Sequence, residues 1–145
     1  MKTSKLMVCV ACLFFSQVAW CQTSGLIVVN FNIVVQSPIS LTQPITCSVS
    51  LQATEVNLAT QSAGIFQETK TKVATRTSQT AATCAVSVPY SWNLLTPLAD
   101  KMGINITVSE DGDSPITQRM SMQSIGTIPL PSNNATTTEN VQVVF

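Results

Sequence analysis

Two cysteines, two aromatic residues and one acidic turn are the parts of this chain whose residue types and spacing could do chemistry. They are Cys47 and Cys84; Tyr90 and Trp92; and Glu110, Asp111 and Asp113. Two thiols can form a disulfide, exposed aromatic rings can stack on a sugar, and clustered carboxylates can bind calcium. The surrounding sequence decides which of these chemistries is favoured.

Enzymatic chemistry is poorly represented, because the 145 residues include no histidine. This removes the commonest general base, a frequent metal ligand, and every Ser/His or Cys/His nucleophile pair. Glycine-rich phosphate loops and dinucleotide fingerprints are also missing from the sequence. Glycosidase chemistry needs two acids facing across a cleft, whereas the best-placed acids here share one turn. We therefore expect a protein that is not an enzyme and needs no cofactor.

The acidic turn spans Glu110-Asp111-Gly112-Asp113 and is the one candidate cation site in the sequence. Closely spaced carboxylates and a flexible glycine could bind calcium. The turn lacks the full ligand series of a calcium loop, and Asp-Gly is common in β-hairpins. A solvated turn is therefore favoured over a metal site.

The first 21 residues have the layout of a secretory signal peptide. Lys2 and Lys5 precede an apolar run, Leu6–Phe15, and polar residues follow from Gln22. The run is shorter than the roughly 20 residues that a permanent membrane helix needs. We predict a signal peptide over 1–21 and a single mature domain over 22–145, without a transmembrane segment and located in the periplasm, at the cell surface or outside the cell.

The exact processing site leaves alternatives open. Cleavage after Cys21 is favoured, and cleavage after Ala19 is the alternative. Cys21 could also be the lipidated residue of a bacterial lipoprotein, but the bulky Trp20 before it disfavours that processing.

The mature segment has a weakly acidic, hydroxyl-rich composition. It contains five basic and seven acidic residues, and charged residues make up only 10% of the chain, against about 25% in an average soluble protein. This composition does not indicate nucleic-acid binding. Serine, threonine and amide residues are typical of exposed positions on extracellular β-strands.

Apolar residues alternate with polar ones along most of the mature chain, which predicts β-strands. Thr54–Thr80 is predicted to form short strands and exposed loops, Pro89 is expected to lie at a strand end or edge, and Gly126 is expected to weaken or bulge its strand. Met120 and Met122 are expected in the core. The alternating segments are 26–35, 45–53, 81–92, 104–109, 116–128 and 141–145.

About seven strands without a sustained helix predict a two-sheet antiparallel β-sandwich. Cys47 and Cys84 lie in phase with the apolar face of their strands, so we predict a disulfide between the sheets. It would stabilise the fold by about 4 kcal/mol on the loop-entropy model. Two cysteines on separate strands with aromatic residues nearby resemble an immunoglobulin-like domain, although Tyr90 and Trp92 both follow the second cysteine here.

The aromatic pair has two interpretations. Exposed rings of Tyr90 and Trp92 would form a sugar-binding platform, whereas their phase with Cys84 favours burial in the core. Trp92 follows Pro89 and could lie outside the sheet. The sequons at Asn105 and Asn134 matter only in a eukaryotic source.

The first strand, with inward apolar residues at 27, 29, 31, 33 and 35, resembles the N-terminal donor strand of chaperone–usher pilins. Val144 stands where those pilins carry a penultimate tyrosine. The resemblance implies a self-assembling surface-fibre subunit, while an ordinary first strand is favoured. Our leading hypothesis is a non-catalytic structural or binding module that contacts another protein or a polysaccharide at the cell envelope, with a carbohydrate-binding module as a further alternative.

Overall fold

The computed structural model describes residues 21–36, 40–57, 59–94, 101–110 and 119–144. Within this part of the chain, no helix has the length and hydropathy that a membrane span requires. The described residues form eight strands: β1 (Cys21–Val34), β2 (Ile45–Asn57), β3 (Ser62–Val73), β4 (Thr75–Ser78), β5 (Ala81–Leu94), β6 (Lys101–Glu110), β7 (Arg119–Pro129) and β8 (Ala135–Val144).

The strands form two four-stranded layers. Sheet I has the order β3-β2-β6-β7, and sheet II has the order β4-β5-β1-β8. The layers join at one corner, where Glu55 of β2 pairs with Leu94 of β5. Neighbouring strands are antiparallel except β1 and β8, which run parallel. The predicted all-β, two-sheet sandwich is confirmed at this level.

Strand β1 lies in the interior of sheet II because one face of it is apolar from Ile27 onward. Its inward side chains are buried against the facing sheet, while Asn30 and Asn32 lie on the opposite face. Alternation with a period of two brings every second side chain to the same side of a strand, which explains the continuous buried stripe. The stripe consists of Ile27, Val29, Phe31, Ile33 and Val35.

The core between the sheets is completed by the inward faces of β2, β5 and β6. Side chains with almost no solvent exposure interdigitate there, and they come from segments whose apolar residues alternate in the sequence. They include Ile45, Val49, Leu51, Val86, Val88, Met102, Ile104, Ile106 and Val108.

The short strands predicted for Thr54–Thr80 are wrong in length, because β3 alone has 12 residues. Strand β3 pairs with β2 in one continuous hairpin, from Thr46 opposite Val73 to Asn57 opposite Ser62. Its apolar signal is faint because β3 is an edge strand whose side chains are mostly exposed. After Ala74, whose N–H donates to the Ile45 carbonyl oxygen at 2.7 Å, the chain continues into sheet II as β4.

The expected burial of Met120 and Met122 is wrong. Both side chains are exposed, at 57% and 76%. They pair with Ser109 and Thr107 of β6, and directly opposite residues project to the same face, which here is the outer one. The predicted irregularity at Gly126 is confirmed, since a register shift occurs there and Gly126 has φ +98°.

Strand β5 continues through Pro89 to Leu94. Beyond Thr83 the described residues of β4 no longer cover its second edge, so a proline without an N–H can be accommodated there. The predicted edge position is therefore confirmed, but the strand does not end. Trp92 remains in the sheet, opposite Thr23 of β1.

Gly25 allows the ring of Tyr90 to cover β1. The two residues are cross-strand partners, and a Cβ at position 25 would overlap Tyr90 Oη and the carbonyl oxygen of Ala135. Contact with a backbone atom cannot be relieved by a rotamer change. This position therefore has a steric requirement for glycine.

We expect Gly25→Ala to lower the free energy of unfolding by about 1–3 kcal/mol, because it overpacks a closed site. Urea denaturation followed by circular dichroism measures the change. Gly103→Ala is the matched control, since a Cβ there meets only the Gln52 carbonyl oxygen at an ordinary 3.8 Å. Equal effects of the two substitutions would contradict the steric explanation.

Candidate functional site

The two cysteines meet between the sheets. Cys47 on β2 belongs to sheet I, and Cys84 on β5 belongs to sheet II. Their side chains approach to 2.8 Å, which is longer than the S–S bond of about 2.05 Å. The structure thus contains two buried free thiols in contact. Their inward placement on facing strands agrees with the sequence analysis, whereas the bond itself is not present.

The thiols differ in acidity because they share a hydrogen bond. That bond, with burial and the nearby charge of Cys84, raises the pKa of Cys47. The same hydrogen bond, with the positive charge of Lys72, lowers the pKa of Cys84 against the opposing effect of burial. Loss of one proton from the pair is therefore favoured by the hydrogen bond from the remaining thiol, and loss of the second is opposed by the charge of the first thiolate.

Tyr90 and Trp92 form the centre of an aromatic cluster in the core. They are only 3% and 2% exposed, and their ring centroids are 4.4 Å apart. Phe66 of β3 lies against Trp92 from the other sheet, at 4.5 Å. The rings therefore pack the two sheets together, and neither has the exposed face that a sugar platform needs.

The predicted calcium turn falls mainly outside the described residues, which include Glu110 but not Asp111 or Asp113. Glu110 ends β6, and its side chain is buried. Within the described ranges, no group of three or more histidine, cysteine or acidic side chains is arranged to hold a metal ion.

The two sequon asparagines are both exposed. Asn105 lies on the outer face of β6. Asn134 occupies the turn before β8 with φ 61°, and its Oδ1 accepts a hydrogen bond from Ser24 Oγ at 3.0 Å. The turn is thereby attached to β1.

A broad uncharged surface, which we call the polar face, covers the outside of sheet I. The strand registers place hydroxyl and amide side chains of all four strands on it. Ser50 at its centre accepts hydrogen bonds from Thr69 Oγ1 at 3.1 Å and Gln67 Nε2 at 3.4 Å. The polar face consists of Thr46, Ser48, Ser50, Gln52, Thr54, Gln67, Thr69, Thr71, Asn105, Thr107, Ser109, Ser124 and Thr127.

The boundaries of the polar face are apolar apart from one cation. Ile65, Val73, Met120 and Met122 are exposed around it, and Lys101 is the charged residue among the described outward positions. Sequence reasoning assigned these polar residues to solvent without recognising a joint surface. The alternation in β2 and β6 indicates that their polar side chains share one side of each strand. Only the pairing of β3 with β2 shows that these side chains form one continuous surface.

Comparison with known proteins gave no match to a family model, to a curated protein or to a solved structure. The function therefore has to be inferred from the geometry of this chain.

Tyr90 supplies a spectroscopic test of the core, because it is the only tyrosine. Burial raises its pKa, and its hydroxyl has no hydrogen-bond partner among the described residues. The folded state retains the proton while the unfolded state loses it near pH 10. The protonated Tyr90 therefore makes its full contribution to the free energy of unfolding below about pH 10, and this contribution is lost as the pH rises further.

We expect the phenolate absorbance of the folded protein to appear at higher pH than that of the denatured protein. Between pH 9 and 11, the free energy of unfolding of Tyr90→Phe should fall by about 1 kcal/mol less than that of the wild type. At pH 7 it should increase the free energy of unfolding by about 1 kcal/mol, because a buried unpaired hydroxyl is removed. Identical titrations of folded and denatured protein would contradict the burial of Tyr90.

Proposed function

We propose that this protein is a non-catalytic β-sandwich that acts outside the cytoplasm as a binding module, and that its polar face contacts a neutral polysaccharide of the cell envelope. The observation that carries the proposal is the extent of that face: four adjacent strands present hydroxyl and amide groups with a single cation among the described outward positions.

The chemistry of the polar face matches that of a neutral sugar polymer. Hydroxyl and amide groups both donate and accept hydrogen bonds, as sugar hydroxyls do. Adjacent strands are about 4.8 Å apart, so four strands make a face about 14 Å wide. Each contact contributes little on its own because water competes for it. An extended face can combine many such contacts with an extended polymer.

Export and oxidation form part of the same proposal. Residues 1–21 have the pattern of a signal peptide, and Cys47 lies beside Cys84 between the sheets. We infer that the exported protein carries these two cysteines as a disulfide in an immunoglobulin-like sandwich. The facing positions of the thiols on β2 and β5 support this inference.

We expect the wild-type protein to sediment with at least one insoluble neutral polysaccharide from a panel. The double substitution Thr69→Lys with Asn105→Lys should weaken that binding at least tenfold. These exposed side chains flank Ser50 in one row, and desolvating an unpaired ammonium is costly. The measurement is a co-sedimentation isotherm.

The matched control is Thr83→Lys with Ser87→Lys, which adds the same charge to exposed positions on the outside of sheet II. The control should bind as the wild type does. Equal losses in both double variants, or no binding across the panel, would reject the polar face as the binding surface.

A second candidate function, a self-assembling fibre subunit, is favoured by the position of β1. Strand β1 separates β5 from β8, and β8 pairs with no other described strand. Removing β1 would open a groove lined by the core and leave β8 without a strand neighbour. Such a groove could accept β1 of another subunit, as in strand exchange between identical chains.

For a fibre subunit, deleting residues 22–36 should abolish polymers and leave a monomer that binds a peptide of residues 22–36 and is folded in complex with it. The peptide carrying Phe31→Asp is the control, and it should not bind because a carboxylate would enter the core. Native mass spectrometry detects the complex. A deletion variant that stays unfolded with the peptide present would reject donated-strand assembly.

A further inference from the structure

The two thiols differ in access to solvent. Cys47 is completely buried, whereas Cys84 is 8% exposed and lines a shallow surface pocket of about 400 Å³. The pocket opens where the chain crosses from the end of β3 to β4, and its other lining residues include Asn30, Lys72 and Thr83. A reagent in this pocket would meet Cys84 and not Cys47.

The surroundings of the pocket favour a negatively charged sulfur at Cys84. Lys72, opposite Cys47 in the β2–β3 register, contributes a positive charge that lowers the pKa of Cys84. The Cys84 Sγ–H donates to the carbonyl oxygen of Lys72 at 3.7 Å, which favours the protonated thiol and opposes the effect of the Lys72 charge. The thiolate is the attacking species in thiol–disulfide exchange. The Lys72 charge lowers the pKa of both thiols, so the access of Cys84 to the pocket selects which sulfur reacts.

We propose that Cys84 is a modification site for small-molecule disulfides and that Cys47 is its resolving thiol, so that the folded sandwich can be oxidised from this pocket. The inference rests on the proposed extracytoplasmic function, because the reaction needs a small-molecule disulfide as its oxidant and such oxidants persist outside the cytoplasm. Cys84 thus reacts first and Cys47 second, an order of reaction that their inward placement alone does not define.

The reaction balances in two exchanges. The Cys84 thiolate attacks one sulfur of the small disulfide, whose S–S bond breaks to release one thiolate and leave a mixed disulfide on Cys84. Cys47 then loses its proton to solvent and attacks the Cys84 sulfur, releasing the second small thiolate. Two protein thiols are oxidised to one disulfide, and the small disulfide is reduced to two thiols.

The test uses the full chain with reduced cysteines, oxidised glutathione as the probe, and intact-mass spectrometry. Cys47→Ser should accumulate one stable glutathione adduct on Cys84. Cys84→Ser should react at least tenfold more slowly, because Cys47 is completely buried. The wild type should pass through the adduct and finish two hydrogens lighter. In denaturant the two single variants should react at similar rates, which shows that the folded structure causes the difference.

The charge contribution is tested in the Cys47→Ser background. Lys72→Gln should slow adduct formation about two- to fivefold and move its pH–rate profile to higher pH. Lys70→Gln is the matched control: Lys70 lies on the same strand, and its Nζ pairs with Glu68 Oε1 at 2.6 Å. It should leave the rate unchanged.

Equal rates for folded Cys47→Ser and Cys84→Ser would overturn the assignment of Cys84, and equal effects of Lys72→Gln and Lys70→Gln would overturn the role of Lys72. These outcomes are distinct from failure of the proposed function. Free thiols in protein harvested outside the cytoplasm would reject the proposed disulfide, but they would leave the order of reactivity measurable in the purified chain.

Discussion

The burial of the apolar stripe from Ile27 to Val35 on β1 is the constraint on which the rest of the structure depends. Its inward side chains are at most 3% exposed, and both of its backbone edges are paired, with β5 on one side and β8 on the other. A shift of one residue along β1 would turn the stripe to solvent and bring Asn30 and Asn32 into the core. Hydrophobic burial therefore sets the register of β1, and that register positions both neighbouring strands.

The same register connects the aromatic cluster and the cysteines. Gly25 lies opposite Tyr90, and Phe31 lies opposite Cys84. Strand β1 thus pairs with both ends of β5. At one end of β5, Trp92 packs against Phe66 of the facing sheet. At the other end, the thiols of the two sheets meet. The sandwich is held at two points along β5, one by ring packing and one by sulfur contact.

The edge strands carry polar side chains on the face that elsewhere forms the core. Lys70 and Lys72 of β3 share the face of Val49 and Cys47, and Glu139 of β8 shares the face of Val29. Inward charges at sheet edges oppose pairing with other chains. At Lys72 this arrangement also places a cation beside Cys84, so edge protection and thiol chemistry depend on one side chain.

The sequence by itself determined the strand pattern, the two-sheet class and the inward placement of both cysteines, because a period of two in hydrophobicity reports directly which side of a strand is buried. It did not determine the length of β3, the exposure of Met120 and Met122, or the polar face. These depend on which strands become edges and which become neighbours, and hydroxyl-rich segments carry no apolar signal of that choice. The unequal access of Cys47 and Cys84 was likewise decided by the tertiary structure. Both thiols occupy equivalent inward positions, and a pocket opens beside Cys84 where the chain crosses from β3 to β4.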